Sequence, residues 1–352
     1  MNNRIKLFAG MIITASLALS AAAQAEHTPT PLGAEKTPTS FVHVEIKNLE
    51  DQTLGRIKDL GIDLINGRIV VVLVESDSSL GVGNKIVAVP PGALKSDPAG
   101  QIYRLDATRE LFKTAAPIDL AKWEDAGRSE RVAAAYYLFG REPYFLEEGE
   151  VASRKAARPK VSLGYVERCN KLLEMPVGNF QGDKFGAVWS MNLDIPRGRI
   201  LSVIVLAPGN FQTKSVVPAM ALSFNAARDA LLLDDTKQEY ADEPRYLYTE
   251  AAYGNKATSQ EEAYKGPHTR VALEQGDSYL DIDRTLLIQQ NIRLAKIYAR
   301  NVQVGTMDGR VTLRGWVRSV ADQQRIGEIA IAASRLEVVD NQLTVGRPVA
   351  GL

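Results

Sequence analysis

At 352 residues the chain exceeds one ordinary domain, and its length points to two or three modules. Apolar residues make up 45% and charged residues 24%, the normal globular range, which leaves material for several packed cores. The 42 basic and 42 acidic side chains balance, so a general polyanion-binding role, nucleic acid included, has no electrostatic basis.

In chain order, Arg4 and Lys6 precede an apolar run from Leu7 to Ala23, and Ala23-Gln24-Ala25 supplies small residues at a cleavage site. This reads as a signal peptide over 1–25, cleaved after Ala25, which implies a periplasmic protein. The rival reading, an uncleaved anchor, needs a more apolar run than one broken by Thr14, Ser16 and Ser20. Cleavage would leave 40 basic against 42 acidic side chains and no cysteine near the new N-terminus. No later run reaches membrane-spanning length. Residues 26–40, rich in Thr and Pro, read as a flexible leader, and folded structure is expected from Phe41.

The chain then repeats itself. Asn48, Leu54-Gly55 and Gly67-Arg68-Ile69 return as Asn179, Phe185-Gly186 and Gly198-Arg199-Ile200 at one common offset. Each copy runs on into a β-branched strand, Ile69 to Val74 or Ile200 to Val205, and then into a strand ending at Val89-Pro90 or Val217-Pro218. Gly55 and Gly186 mark strand beginnings; Gly67 and Gly198 mark turns. Short strands joined by Gly and Pro turns predict a small antiparallel barrel, once over 41–118 and again over 161–240. These motifs resemble the PRC-barrel family: Leu-Gly-x-Ile or Phe-Gly-x-Val, then Gly-Arg-Ile before an apolar strand, then a strand closing at Val-Pro.

Between the copies, 119–160 reads as a connector carrying a short helix over Arg131–Leu138. Residues 241–282 read as an acidic, tyrosine-dotted linker, whose tyrosines either clamp a partner or rest on neighbouring barrel surface. Cys169 is the only cysteine, so no intrachain disulfide can form; it is either a buried small residue or a contact to another chain.

Over 283–346 the pattern changes. Leu287, Ile288, Ile292, Ala295 and Ala299 share one helical face, and Ile326, Ile329, Ala330 and Ala333 share another. Asn301–Val304, Arg310–Val317 and Leu343–Val345 alternate as three strands with one wet face, and Met307-Asp308-Gly309 supplies a turn at Gly309. On the middle strand Val311, Leu313, Gly315 and Val317 point to the helices, so Arg310, Thr312, Arg314, Trp316 and Arg318 share the other face. The string Val304 to Val317, with Val339 to Val345, resembles a BON domain of order αββαβ. The resemblance implies attachment to phospholipid or to other envelope macromolecules without chemistry of its own. This module holds nine basic against six acidic residues, and three arginines around one indole suit an anionic lipid surface. The alternative is a solvated face with Trp316 stacked by arginine.

An enzyme needs a nucleophile, base or metal constellation, and the inventory is thin. His27, His43 and His268 stand at no metal-ligand spacing, and no catalytic serine or phosphate-cradling motif occurs. Gly81-Val82-Gly83 reads as a hairpin loop, and the pairs Asp234-Asp235 and Glu147-Glu148 as solvated acids. No cofactor and no metal is expected. The expectation is therefore a multidomain, non-catalytic envelope adaptor, with two PRC-barrel-like modules contacting an envelope protein and a C-terminal α+β module on anionic phospholipid. The competing expectation is a small-molecule or cofactor carrier using a barrel interior or the cleft between barrels.

Overall fold

A computed structural model describes residues 41–97, 102–145, 161–209, 213–241, 245–247, 273–299, 301–335 and 339–346. The expected export segment and leader, His27, His268, Glu147-Glu148 and most of 241–272 lie outside the described residues.

The first copy has six strands: β1 (Glu45–Lys47), β2 (Thr53–Asp63), β3 (Arg68–Ser76), β4 (Ile86–Val89), β5 (Leu94–Ser96) and β6 (Ile102–Leu105). They pair in the order β4-β3-β2-β1-β6-β5, antiparallel except where β1 runs parallel to β6. The strand that opens the 161–240 segment, β7 (Val166–Arg168), pairs with the end of β2. The second copy comprises β8 (Pro176–Asn179), β9 (Lys184–Asp194), β10 (Arg199–Leu206), β11 (Thr213–Val217), β12 (Leu222–Phe224) and β13 (Leu231–Leu233). Its pairing, β11-β10-β9-β8-β13-β12 with β8 parallel to β13, repeats the first strand for strand. A further strand, β14 (Arg245–Leu247), pairs with β11. Among the described residues no hydrogen-bonded ladder closes β4 onto β5, or β11 onto β12.

The duplication extends to backbone chemistry. Asn48 is buried, and its Oδ1 accepts the amides of Glu50 at 3.1 Å and Gln52 at 2.8 Å. Asn179 does the same for Gln181 at 3.1 Å and Asp183 at 2.8 Å. In each loop the third residue on, Asp51 or Gly182, takes the left-handed conformation that lets the chain reverse. Ile46 stands opposite Gly55, and Val177 opposite Gly186. At both glycines a Cβ would land on the carbonyl of the facing strand, that of Glu75 or Leu206, which is why only glycine fits there.

The copies meet head to head. Arg68 at the start of β3 pairs with Arg199 at the start of β10; the Ile69 amide donates to the Gly198 carbonyl at 3.0 Å, and the Ile200 amide to the Gly67 carbonyl at 2.9 Å. These reciprocal bonds relate the copies by a local two-fold axis, as at the interface of a symmetric dimer. Gly67 and Gly198, both with φ near +60°, make the turns that bring the strands together. One apolar core runs through both copies, from Leu54, Ile57 and Val72 to Phe185, Val188 and Val203.

Every side chain from Ile69 to Val74 is buried, so β3 is covered on both faces. Ile69, Val72 and Val74 face the shared core. Val70, Val71 and Leu73 face a second cluster built from Trp123, Val132, Ala133, Tyr136 and Phe145. The expected short helix is α1 (Ser129–Leu138), and it lies in this outer layer. The Tyr136 hydroxyl donates to the Val70 carbonyl at 3.0 Å, and the Trp123 indole to that of Val166 at 2.9 Å. Cys169 is fully buried, and burial pushes its thiol well above the ordinary range, which matches the reading as a small buried residue. Asp235, expected to be solvated, is 3% exposed instead: its carbonyl accepts from the Asn179 amide at 3.1 Å, and its carboxylate accepts from Tyr298 at 3.2 Å.

The C-terminal module runs α2 (Tyr279–Leu294), β15 (Gln303–Met307), β16 (Arg310–Val317), α3 (Val320–Ser334) and β17 (Asp340–Val345), the expected αββαβ order. Its sheet is β15-β16-β17, with β16 antiparallel to β15 and parallel to β17. Ile288, Ile292, Ile326, Ala330, Val311, Leu313, Val317 and Leu343 form its own core. The first helix departs from the single-face expectation. Ile288 and Ile292 enter the module's core, whereas Leu287 turns with Leu286, Ile282 and Tyr279 into the cluster over β3, and Ala295 caps the helix end, exposed. At the outer edge of the sheet, the Leu343 amide donates to Asn341 Oδ1 at 3.2 Å, and its carbonyl accepts from the Gln323 side chain.

Candidate binding face of the C-terminal module

Alternation along β16 holds as expected. Val311, Leu313 and Val317 are buried, Arg310 and Arg314 are exposed, and Thr312 and Trp316 are half-buried. The tight turn before it places Asp308 and Gly309 at φ of 49° and 80°, and their amides donate to the buried carboxylate of Asp281 at 3.1 and 2.9 Å. A carboxylate in the first turn of α2 thus fixes where Arg310 begins the strand.

The four expected site residues divide into two pairs. Arg318 forms an ion pair with Glu239 of the second copy, and its guanidinium stacks 3.7 Å from the centre of the Tyr298 ring. The Tyr298 ring lies 6.3 Å from that of Trp316, and its hydroxyl donates to Asp235. Arg318 and Trp316 therefore sit where the module meets the second copy. Arg310 and Arg314 remain exposed, with Arg314 Nε donating to Gln342 at 3.3 Å. Met307 stands directly across from Arg310 and is 41% exposed; Leu280, near the start of α2, is 43% exposed. Periodicity did not single out these two, because the turn and the helix start leave their side chains outside both patterns. The structural glycines occupy their expected turns at Gly67, Gly198 and Gly309, all with positive φ, and Gly55 and Gly186 occupy the close approaches described above.

The module is also fastened to the first copy. Arg293 on α2 donates to the Ile65 carbonyl and to Asn66 Oδ1, at 3.2 Å in the second case, and faces Asp63. Asp63 accepts the Gly164 amide at 2.8 Å, the Asn66 amide at 3.1 Å and the Asn66 side chain at 2.7 Å. Burial still dominates and raises its carboxyl above the ordinary 3.8; Asp59 is raised for the same reason, with bonds from Leu60 and Asn170 opposing. A raised carboxyl contributes stability that is complete below pH 3.8 and is lost as the pH climbs through the folded-state value. Asp63→Asn turns an amide NH₂ toward these donors, so the variant is less stable than wild type at pH 4 and its deficit shrinks toward pH 7. Urea unfolding of both proteins at the two pH values measures this; a deficit that grows with pH contradicts it.

Among the described residues no three His, Cys, Asp or Glu side chains gather as a metal set, and no helix is long and apolar enough to cross a membrane. Comparison with protein families matches residues 283–347 to the BON domain, a module known for phospholipid or envelope binding. No curated protein matches the chain.

Proposed function

We propose that the chain is a non-catalytic adaptor of the bacterial envelope, exported to the periplasm, in which the BON domain attaches to anionic phospholipid. The duplicated strand modules, PRC-barrel-like in their sequence motifs, are proposed to hold an envelope protein. One observation carries the lipid half: Arg310 and Arg314 project from one sheet face with the exposed thioether of Met307 beside them. Guanidinium groups fork onto phosphate oxygens, and a flanking apolar side chain gains from the headgroup boundary. Arg318 and Trp316, engaged against the second copy, orient that face.

Vesicle flotation tests this. Each arginine near an anionic surface contributes on the order of 1 kcal/mol, so Arg310→Ala with Arg314→Ala weakens binding to phosphatidylglycerol vesicles about thirtyfold at low salt. Binding that is equal in the double variant, or absent in the wild type, sinks the lipid half.

A further inference from the structure

The local two-fold axis gathers more positive charge than it neutralises. Arg68 and Arg199 stand directly across from each other, hence on one face of the joined sheet. Asp194 serves both Arg199 at 2.9 Å and Arg197 at 3.5 Å, while Asp63 faces Arg293. Four guanidinium groups thus share two carboxylates. Arg68 is only 7% exposed; it stands across the ladder from Asp63 but forms no ion pair among the described residues, and its guanidinium lies 5.2 Å from the centre of the Tyr144 ring. Uncompensated buried charge of this kind is costly.

The unsatisfied polar atoms on the two facing arginines are both donors. Arg68 Nε and Arg199 Nε are each buried without a hydrogen-bond partner, and the buried Tyr144 hydroxyl lies beside the Arg68 guanidinium. Buried donors with no acceptor are rare, and two on facing residues of β3 and β10, with the Tyr144 hydroxyl beside one of them, suit an acceptor-only group. We propose that the junction of the two copies binds a small oxyanion, a phosphate or a carboxylate, between Arg68, Arg199 and Tyr144. Arg199 also donates to the Leu273 carbonyl at 2.7 Å, at the entry to the BON module, so the bound anion braces the place where all three modules meet. Its chemistry is independent of the lipid face, which lies on β16.

The test is calorimetric unfolding of the full chain in chloride, phosphate or acetate at equal ionic strength. Phosphate or acetate raises Tm by several degrees over chloride; the anion with the lower half-saturating concentration distinguishes a phosphate site from a carboxylate site. Arg68→Lys keeps the charge but loses Nε and the fork, and shifts half-saturation at least tenfold upward. Tyr144→Phe preserves the fold, is as stable as wild type or more so in chloride, and weakens the anion response severalfold. No Tm gain with either oxyanion, or an unchanged response in Arg68→Lys, overturns the proposal.

Discussion

Gly315→Ala unfolds the C-terminal module. Gly315 lies mid-strand on β16 with φ of +124°, a conformation that an L side chain rarely adopts. A Cβ there would land on the Asn301 carbonyl oxygen, with the carbonyl carbon 2.9 Å away and Val302 Cα at 3.4 Å. Neither obstacle is a flexible side chain. Asn301 is buried beside Val302, which belongs to the module's core, so the backbone has nowhere to retreat. Strain at φ and overlap with backbone add to more than about 4 kcal/mol, close to the whole stability of a domain this small. Hydrogen exchange reads the result directly: amides of β15 to β17 lose protection while those of β2, β3, β9 and β10 keep it. Wild-type protection across β16 in the variant contradicts the argument.

The second large effect belongs to Arg293→Ala. Removing the guanidinium takes two hydrogen bonds from the 64–67 turn and strips the buried Asp63 carboxylate of its positive neighbour. Two hydrogen bonds from a charged donor are worth about 1.5–3 kcal/mol each, and because Arg293 is only partly buried the loss is at the lower end, about 3 kcal/mol. The loss falls on the seat of α2 against the first copy, where Leu286 and Ile282 also pack, and not on the module's own core. Hydrogen exchange of wild type and variant therefore differs at the 64–67 turn and in the first turns of α2, whose amides lose protection at least tenfold, while those of β15 to β17 keep it. Equal protection at both places refutes this coupling.

Much of the fold is written in local backbone requirements, which is why a single sequence exposes it. Asn48 with Asn179, Gly55 with Gly186 and Gly67 with Gly198 are positions where a turn or a close approach admits few residue types, so duplication leaves them recognisable. The inward and outward alternation of β16 follows from its pleat alone. What escaped depends on how modules are placed against one another. Arg68 and Arg199 reveal themselves as a junction only once the copies stand head to head. Arg318 and Trp316 look like surface residues until Glu239 and Tyr298 occupy them. Leu287 fits the periodicity of one helical face and lies on the other, because α2 is covered on two sides. The role of the outer layer did carry a signal: the unbroken apolar run Ile69 to Val74 leaves β3 no wet face, so some other segment must roof it.

The outermost strand of the BON sheet has a bearing on strand addition. A three-stranded sheet normally leaves each outer strand as a template onto which another chain can add. Here the amide and carbonyl of Leu343, which point away from β16, are already taken by Asn341 and Gln323. Two neutral amide side chains thus act as an end-stop at the middle of that edge, where an incoming strand would otherwise find its first bonds.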